Sequence, residues 1–411
     1  MSINIPGLIL GLKGQCVNSI SYEKNKNTLT FICRRDKRYK PIDPLHKEPG
    51  TINRYCRRVI NDLPLLNNRV QIEIELVQML TKENKRCMEF CHFVDAGCYY
   101  TKRFCRLVSG LCRYMAISAV AKHLNFRWET VKNMDKKYLQ ETLPALNPAE
   151  LTNLKYLGVD EVARAKGHDY MTVVYDLETG HLIWVHEGRT AETFSIFLKQ
   201  LPESTKQGVL AVAMDMGPAY QKSVRDDLPH ADIIFDRFHV MQNYSRAVDN
   251  QRRIEFRKAD KIGKDLIKGC RFLLLRNAEN LTEKQDNKLK KLLQENTNIN
   301  LIYMLKEQLQ ALWSYKGYEE MGNALENWCQ MADQTNMVYM KRFAKSLRMR
   351  KEGICNYAKH PLTTARIEAG NVGIGLLRKR ARGIRDTEYF KLKIRQLSVT
   401  EKIPMFYKST G

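Results

Sequence analysis

Val209-Leu-Ala-Val-Ala-Met-Asp215 is a run of six apolar residues closed by a carboxylate. So short an apolar run, followed by the turn residues Gly217-Pro218, reads as a buried strand. Leu154-Lys-Tyr-Leu-Gly-Val-Asp-Glu-Val162 reads the same way, with Asp160 at its heart. Between them, Tyr170–Tyr175 and His181–His186 make a hairpin across Asp176-Leu-Glu-Thr-Gly180. Thr190 then caps a helix with Glu192 in its first turn, and Phe194, Phe197, Leu198 and Leu201 form one apolar face. Beyond Asp215 come a short helix over 219–228 and a strand, Ala231–Phe235. Three strands followed by alternating helices and strands give a mixed sheet with helices on its faces. If the first and fourth strands are parallel neighbours, Asp160 and Asp215 lie side by side at their carboxyl ends, where such sheets gather ligands.

An unpaired charge in an apolar run is costly, so each of these carboxylates needs a partner or a metal. Glu368, in Ala365-Arg-Ile-Glu-Ala-Gly-Asn371, would arrive from a later helix. Phosphodiester cleavage must stabilise charge on the attacking and the leaving oxygen, which two divalent ions held by carboxylates from different elements can do. Magnesium or manganese suits an all-oxygen set, so two such ions on Asp160, Asp215 and Glu368 are expected. Asp236, in Phe235-Asp-Arg-Phe-His239, either assists through hydrogen bonds or caps the next helix; His239 reads as structural.

Composition agrees. The 411 residues include 68 Lys and Arg against 45 Asp and Glu, a net charge of +23, which favours a polyanionic partner, most simply nucleic acid. An apolar fraction of 44% supports sizeable cores and excludes global disorder. No stretch approaches the roughly 20 apolar residues of a membrane span. The first residues do not form a signal peptide. The cysteines number 11, odd and in a large chain, so a secreted disulfide framework is excluded. A reducing cytoplasm, in association with the nucleoid, is the expected location.

Outside the sheet, the N-terminal stretch is β-rich. Asn18–Tyr22 and Thr28–Cys33 form a hairpin around Lys24–Asn27, and Arg69–Val77 alternates as a half-buried strand. Eight cysteines lie before residue 113. Cys87 and Cys91 are spaced as one zinc knuckle, while the partner knuckle holds only Cys33, with His46, Cys56, His92 and Cys98 as replacements. Cys105 and Cys112 read as core residues on a helix.

Ser118–Met134 reads as two helices around a tight turn at Asn125, sharing Val120, Leu124, Val131 and Met134 with the small Ala121 at the crossing. The second helix starts near Trp128 and presents Arg127, Trp128, Glu129, Thr130, Lys132 and Asn133 to bases or phosphates of double-stranded DNA. Residues 246–355 are almost wholly helical, with Leu301, Leu305, Leu309, Leu312 and Trp313 on one stripe. Trp313 and Trp328 read as core residues in preference to base-stacking platforms. After Glu368, the basic run containing Arg378, Lys379, Arg380 and Arg382 is placed to track phosphates toward the carboxylates.

Gly158-Val-Asp160-Glu161, Met214-Asp215 with Ala219-Tyr220, Asp236-Arg-Phe-His239-Val240 and Glu368 with Asn371 resemble the signature blocks of bacterial insertion-sequence transposases of the ISL3 family. That family belongs to the DDE superfamily. The resemblance covers nearly the whole chain and implies an RNase H-like α/β core with Asp160, Asp215 and Glu368 as its catalytic triad. The 153 residues from Asp215 to Glu368 (368 − 215) are long for a bare core; the helical block accounts for them. The implied organisation is multidomain α+β: a zinc-ribbon-like domain at 1–98 and a helix-turn-helix at 99–148. The core follows at 149–245, a helical insertion at 246–355, and the rest of the core with a basic C-terminal helix at 356–411. The implied activity is metal-dependent cleavage and strand transfer at transposon terminal inverted repeats; because two ends must be joined, a homodimer on DNA is expected. Two departures stand out. Thr363-Thr-Ala-Arg366 replaces a serine-asparagine-glycine stretch, and Gly373 and Gly375 stand where the helix after Glu368 is commonly richer in lysine and isoleucine. The competing readings are a catalytically inactive, domesticated DNA-binding protein and an RNase H-like nuclease acting on RNA. The helix-turn-helix argues against the second.

Overall fold

Asn27 adopts a left-handed backbone (φ 49°), and that turn folds Gln15–Glu23 (β1) back on Thr28–Arg35 (β2) as an antiparallel pair. The computed structural model describes residues 10–165, 167, 169–276, 278–362, 365–381 and 384–399. These form two units: the described residues up to Leu143 with those from Glu388 on, and Pro144–Thr387.

In the first unit, Thr51–Leu65 (β3) and Asn68–Leu80 (β4) pair antiparallel, and β4 also runs parallel to β2. The strand order is β1-β2-β4-β3, with Arg86–Met88 (β5) on β4. Alternation buries Val70, Ile72, Ile74 and Leu76 of β4 on one face, with Phe31, Cys33 and Ile60. Three helices follow: Lys102–Tyr114, Ile117–Leu124 and Trp128–Thr142. Asn125 is left-handed (φ 54°) between the last two, as the turn requires, and Val120, Ala121, Val131 and Met134 form their shared core.

The final helix, Thr387–Ser398, divides the segment that the sequence grouped as 356–411. From Glu388 on it packs in the first unit. Its Tyr389, Phe390, Leu392 and Ile394 are buried there, and Lys393 reaches the fully buried Asp135 at 3.0 Å. Asp135 also accepts from the hydroxyls of Ser109 (2.6 Å) and Tyr389 (2.5 Å). A buried ion pair saturated with hydrogen bonds holds this helix, so its basic residues do not all form a solvated face.

The second unit is built on Tyr156–Ala165 (β6), Asp169–Asp176 (β7), Leu182–Glu187 (β8), Ala211–Met214 (β9) and Asp232–Phe235 (β10). Their order is β10-β9-β6-β7-β8. β7 runs antiparallel to both β6 and β8, whereas β9 runs parallel to β6 and β10 parallel to β9. The helix Ala191–Gln200 is capped by Thr190 and buries Phe194, Phe197 and Leu198. Each such side chain stabilises the fold by about 1.5–3 kcal/mol.

Arg237–Lys258 leads into a block of helices extending to Lys359. Trp313 and Trp328 are buried in its core, and Trp328 Nε1 donates to the Leu305 carbonyl (2.8 Å), so neither is a base platform. Leu301, expected on the buried stripe, is 37% exposed. Among the described residues, no helix is long and apolar enough to cross a membrane.

Candidate active site

β6 and β9 pair in parallel with Gly158 opposite Ala213, so Asp160 and Asp215 each stand two residues past the last shared rung. Phe235 of β10 pairs with Met214, which puts Asp236 level with Asp215. Adjacent strands lie about 4.8 Å apart. Three carboxylates are thereby set level on three parallel neighbours, Asp215 and Asp236 just past the ends of β9 and β10 and Asp160 within β6 where its parallel pairing has stopped. The sequence patterns anticipated the adjacency of Asp160 and Asp215; the register makes it a geometric necessity.

Glu368 comes from the helix Ala365–Ala381, which lies against β6. Two glycines permit that approach. A Cβ on Gly370 would stand 2.4 Å from the Tyr175 hydroxyl, and one on Gly158 would stand 2.5 Å from Ile367 Cδ1. With both present, Asn371 Nδ2 donates to Asp160 Oδ2 at 2.6 Å, while Asp160 Oδ1 accepts from the Glu161 amide at 2.7 Å. The buried Asn371 Oδ1 has no hydrogen-bond partner. Sequence reasoning quoted Asn371 only as part of a motif. Its spacing of i, i+3 from Glu368 places both on one helix face and was the available signal.

The electrostatics are those of crowded, poorly solvated carboxylates. Burial pushes the Asp160 carboxyl up to about 6, and the charges of Asp215 and Glu161 add to it, against the Glu161 amide and His239. Glu368 is also raised, first by burial and then by Asp236, with His239 opposing. Asp236 caps the long helix by accepting from the Phe238 amide (2.8 Å), and its other oxygen meets His239 Nδ1 at 3.0 Å. Burial pulls the His239 imidazole down. The Asp236 hydrogen bond and the charges of Asp215, Asp236 and Asp160 outweigh that and hold it up to about 9. His239 is therefore a cation among carboxylates at neutral pH, a role its lone appearance in the sequence did not disclose.

A cleft of about 320 Å³ opens beside the cluster, lined by Asp236, Phe238, Met241, Tyr357, Ala365 and Glu368 among others. The donor set is hard oxygen throughout, and burial makes Asp160 hold its charge poorly even with His239 nearby. Both features fit a hard divalent ion. As the side chains lie, however, no group of three or more His, Cys, Asp or Glu among the described residues is close enough to hold one. The charges acting on Glu368 are those of Asp236 and His239, so the expected three-carboxylate set is only partly gathered.

The same holds for the expected zinc knuckles. Cys33 is buried in the apolar core of the first sheet, its thiol pushed up to about 11 by burial and by Cys16 and Glu73. Cys87 sits on β5 and Cys91 just beyond it, both raised chiefly by burial. Among the described residues, no three or more His, Cys, Asp or Glu are gathered closely enough to hold zinc.

On the helix Trp128–Thr142, Arg127, Trp128, Glu129 and Asn133 are exposed, with Trp128 60% accessible. Thr130 and Lys132 are half-buried, and Thr130 bonds to Tyr100. In the basic run, Lys379 is exposed and Arg380 half-buried, but Arg378 donates to the Ala163 carbonyl at 2.7 Å and ties its helix to β6. Arg382, Thr363 and Thr364 lie outside the described residues.

Residues 157–394 match the ISL3 family profile described as "Transposase", and residues 90–139 match the "Helix-turn-helix domain of transposase family ISL3". The chain is 33% identical over 351 residues to the transposase for insertion sequence element IS1001 of Bordetella parapertussis, covering 83% of this chain and 86% of that one. It is 27% identical over 312 residues to the transposase for insertion sequence element IS1557 of Mycobacterium tuberculosis, covering 70% of each. A helix-turn-helix, a carboxylate cluster at parallel strand ends and these likenesses lead to one conclusion: the chain belongs to the ISL3 family of insertion-sequence transposases, enzymes that cut and rejoin DNA.

Proposed function

We propose that Asp160, Asp215 and Glu368 are the catalytic carboxylates of a DDE transposase. In this reading they hold two Mg²⁺ or Mn²⁺ ions on an RNase H-like core interrupted by the helical block. The observation that carries the reading is the register: Asp160 and Asp215 share one level on parallel neighbours, and the helix bearing Glu368 lies against β6. The strand order, three antiparallel strands extended by two parallel ones, supports the RNase H-like assignment.

Bound divalent ions would supply charge stabilisation for the attacking and leaving oxygens. The chain's own groups do the rest. The Asn371 amide and the Glu161 backbone fix the Asp160 carboxylate. Asp236 holds His239 beside the cluster, where its positive charge offsets part of the repulsion. The reaction is hydrolysis at the transposon end, freeing a 3′-hydroxyl and leaving a 5′-phosphate. Attack of that hydroxyl on a target phosphodiester then forms the new bond and releases the target's 3′-oxygen. The amino-terminal turns of Trp128–Thr142, with the exposed Arg127, Trp128 and Asn133 and the half-buried Thr130 and Lys132, read the terminal inverted repeats. Two ends must be joined, so the working form is a homodimer on DNA, in the cytoplasm on the nucleoid.

The test is strand nicking on a supercoiled plasmid carrying the element's flanking DNA, with Mg²⁺ or Mn²⁺. Asp160→Asn, Asp215→Asn and Glu368→Gln are each expected to abolish nicking while leaving salt-sensitive DNA binding intact. Nicking at the wild-type rate by any one of the three overturns the assignment. A wild-type protein that binds specifically but never nicks places it with the inactive DNA-binding proteins.

A further inference from the structure

The helix that starts at the carboxylate cluster ends in a second, strongly basic site. Arg237–Lys258 carries Asp236 and His239 at its amino end and Arg252, Arg253, Phe256 and Arg257 toward its carboxyl end. Those four residues, with Lys268 and Gly269, line a cleft of about 390 Å³. Beneath it lies Asp249, only 6% exposed. Its carboxylate takes Arg252 at 2.8 Å and Arg253 at 2.9 Å, and stands 3.7 Å from Arg271. One buried anion thus orients three guanidiniums without neutralising them. Arg253, Arg257, Lys268 and Arg271 are exposed, and the Arg271 guanidinium stands 5.7 Å from the ring of Phe272, itself 67% exposed.

Basic residues near a helix carboxyl end also compensate its dipole, worth about 0.3–1 kcal/mol each. That effect explains one or two cations in the last turn. It does not explain a buried carboxylate holding two arginines of an open cleft, with a third from another helix 3.7 Å away. Planar guanidiniums held in place match phosphate oxygens, and the Phe256 ring in the cleft wall suits the sugar-base edge of a strand.

We propose that this cleft is a second DNA-binding site of the transposase, holding backbone phosphates of the DNA that reaches the carboxylate cluster. The helix sets the spacing. From His239 to Arg252 a helix rises about 20 Å at 1.5 Å per residue. That is the length of about six base pairs at 3.4 Å each. The spacing, though not the site, rests on the carboxylates being the place of cutting.

The experiment is fluorescence anisotropy of the full chain on a random-sequence duplex of about forty base pairs across a range of KCl concentrations. Arg257→Ala with Lys268→Ala removes two exposed cations and leaves the Asp249 cluster intact. The expected result is weaker binding on every duplex, with the slope of log affinity against log salt reduced by about 1.8, from about 0.9 per phosphate contact. Asp249→Asn, which releases the arginine fan, is expected to weaken binding in the same sequence-independent way. An unchanged slope in the double variant overturns the proposal, whatever happens to thermal stability; so does a loss confined to one sequence. Asp160→Asn serves as the separating control. If it still nicks DNA while the double variant loses slope, the cleft stands and only the six-base-pair spacing falls.

Discussion

Asp160→Asn should make the metal-free protein more stable while destroying its activity. The Asp160 carboxyl is raised from 3.8 to about 6, chiefly by burial and then by the neighbouring acids. A shift of about two pKa units corresponds to about 3 kcal/mol against the ionised form, and relaxation of a half-buried group lowers the working figure to about 1–3 kcal/mol. Asparagine has the same shape and no charge. It can still accept from the Glu161 amide, and its NH₂ can meet the Asn371 side chain after that amide turns its unpartnered Oδ1 inward. The sign follows from proton binding. A group raised in the folded state stabilises it fully below about pH 4 and loses that contribution as pH rises through about 6. The variant's advantage should therefore be absent near pH 4, open between about 4 and 6, and stay constant above. Urea unfolding followed by tryptophan fluorescence is the assay. Trp184, Trp313 and Trp328 are buried in the second unit, whereas Trp128 in the first is already exposed. Adding Mg²⁺ at pH 8 should stabilise the wild type and not the variant, by about 1.4 kcal/mol at ten times the dissociation constant. A variant less stable than wild type at pH 8, or a gap that ignores pH, refutes the claim that this carboxylate waits for a cation.

Three further outcomes follow from named contacts. Gly370→Ala drives a methyl into the buried Tyr175 hydroxyl, so it should cost about 1–3 kcal/mol and cut nicking by shifting Glu368 and Asn371 together; wild-type melting and nicking would refute the close approach. Asp135→Ala leaves Lys393 buried without its charge partner and should destabilise the first unit by about 3–5 kcal/mol in chemical unfolding, while Asp135→Ala with Lys393→Met recovers most of the loss. Arg378→Ala should lower thermal stability through the lost bond to Ala163 yet leave the salt slope of DNA binding unchanged; a fall of about 0.9 in that slope would return Arg378 to the phosphate contacts.

Local physics made much of this protein legible in sequence. Short apolar runs with Asp160 at the heart of one and Asp215 and Asp236 closing two others read as strands, and Asn125 marked a left-handed turn because few other residues tolerate one. The 3.6-residue pattern of Phe194, Phe197 and Leu198 fixed a helix and its buried face. Those signals depend on neighbours in the chain, so the chain carries them.

What joins distant segments was decided only in three dimensions. Asn371 reaches Asp160 because Gly158 and Gly370, far apart in sequence, together remove the atoms that would hold helix and strand apart. Lys393 leaves the basic run to neutralise Asp135, since a buried charge accepts a partner from anywhere in the chain. Cys33 is buried in an apolar core, because strand pleating, not cysteine spacing, sets the direction of its side chain. The fan of arginines on Asp249 needs the turn after Lys258 to bring Arg271 back. Spacing along a chain encodes which face a residue takes; only packing decides which faces meet.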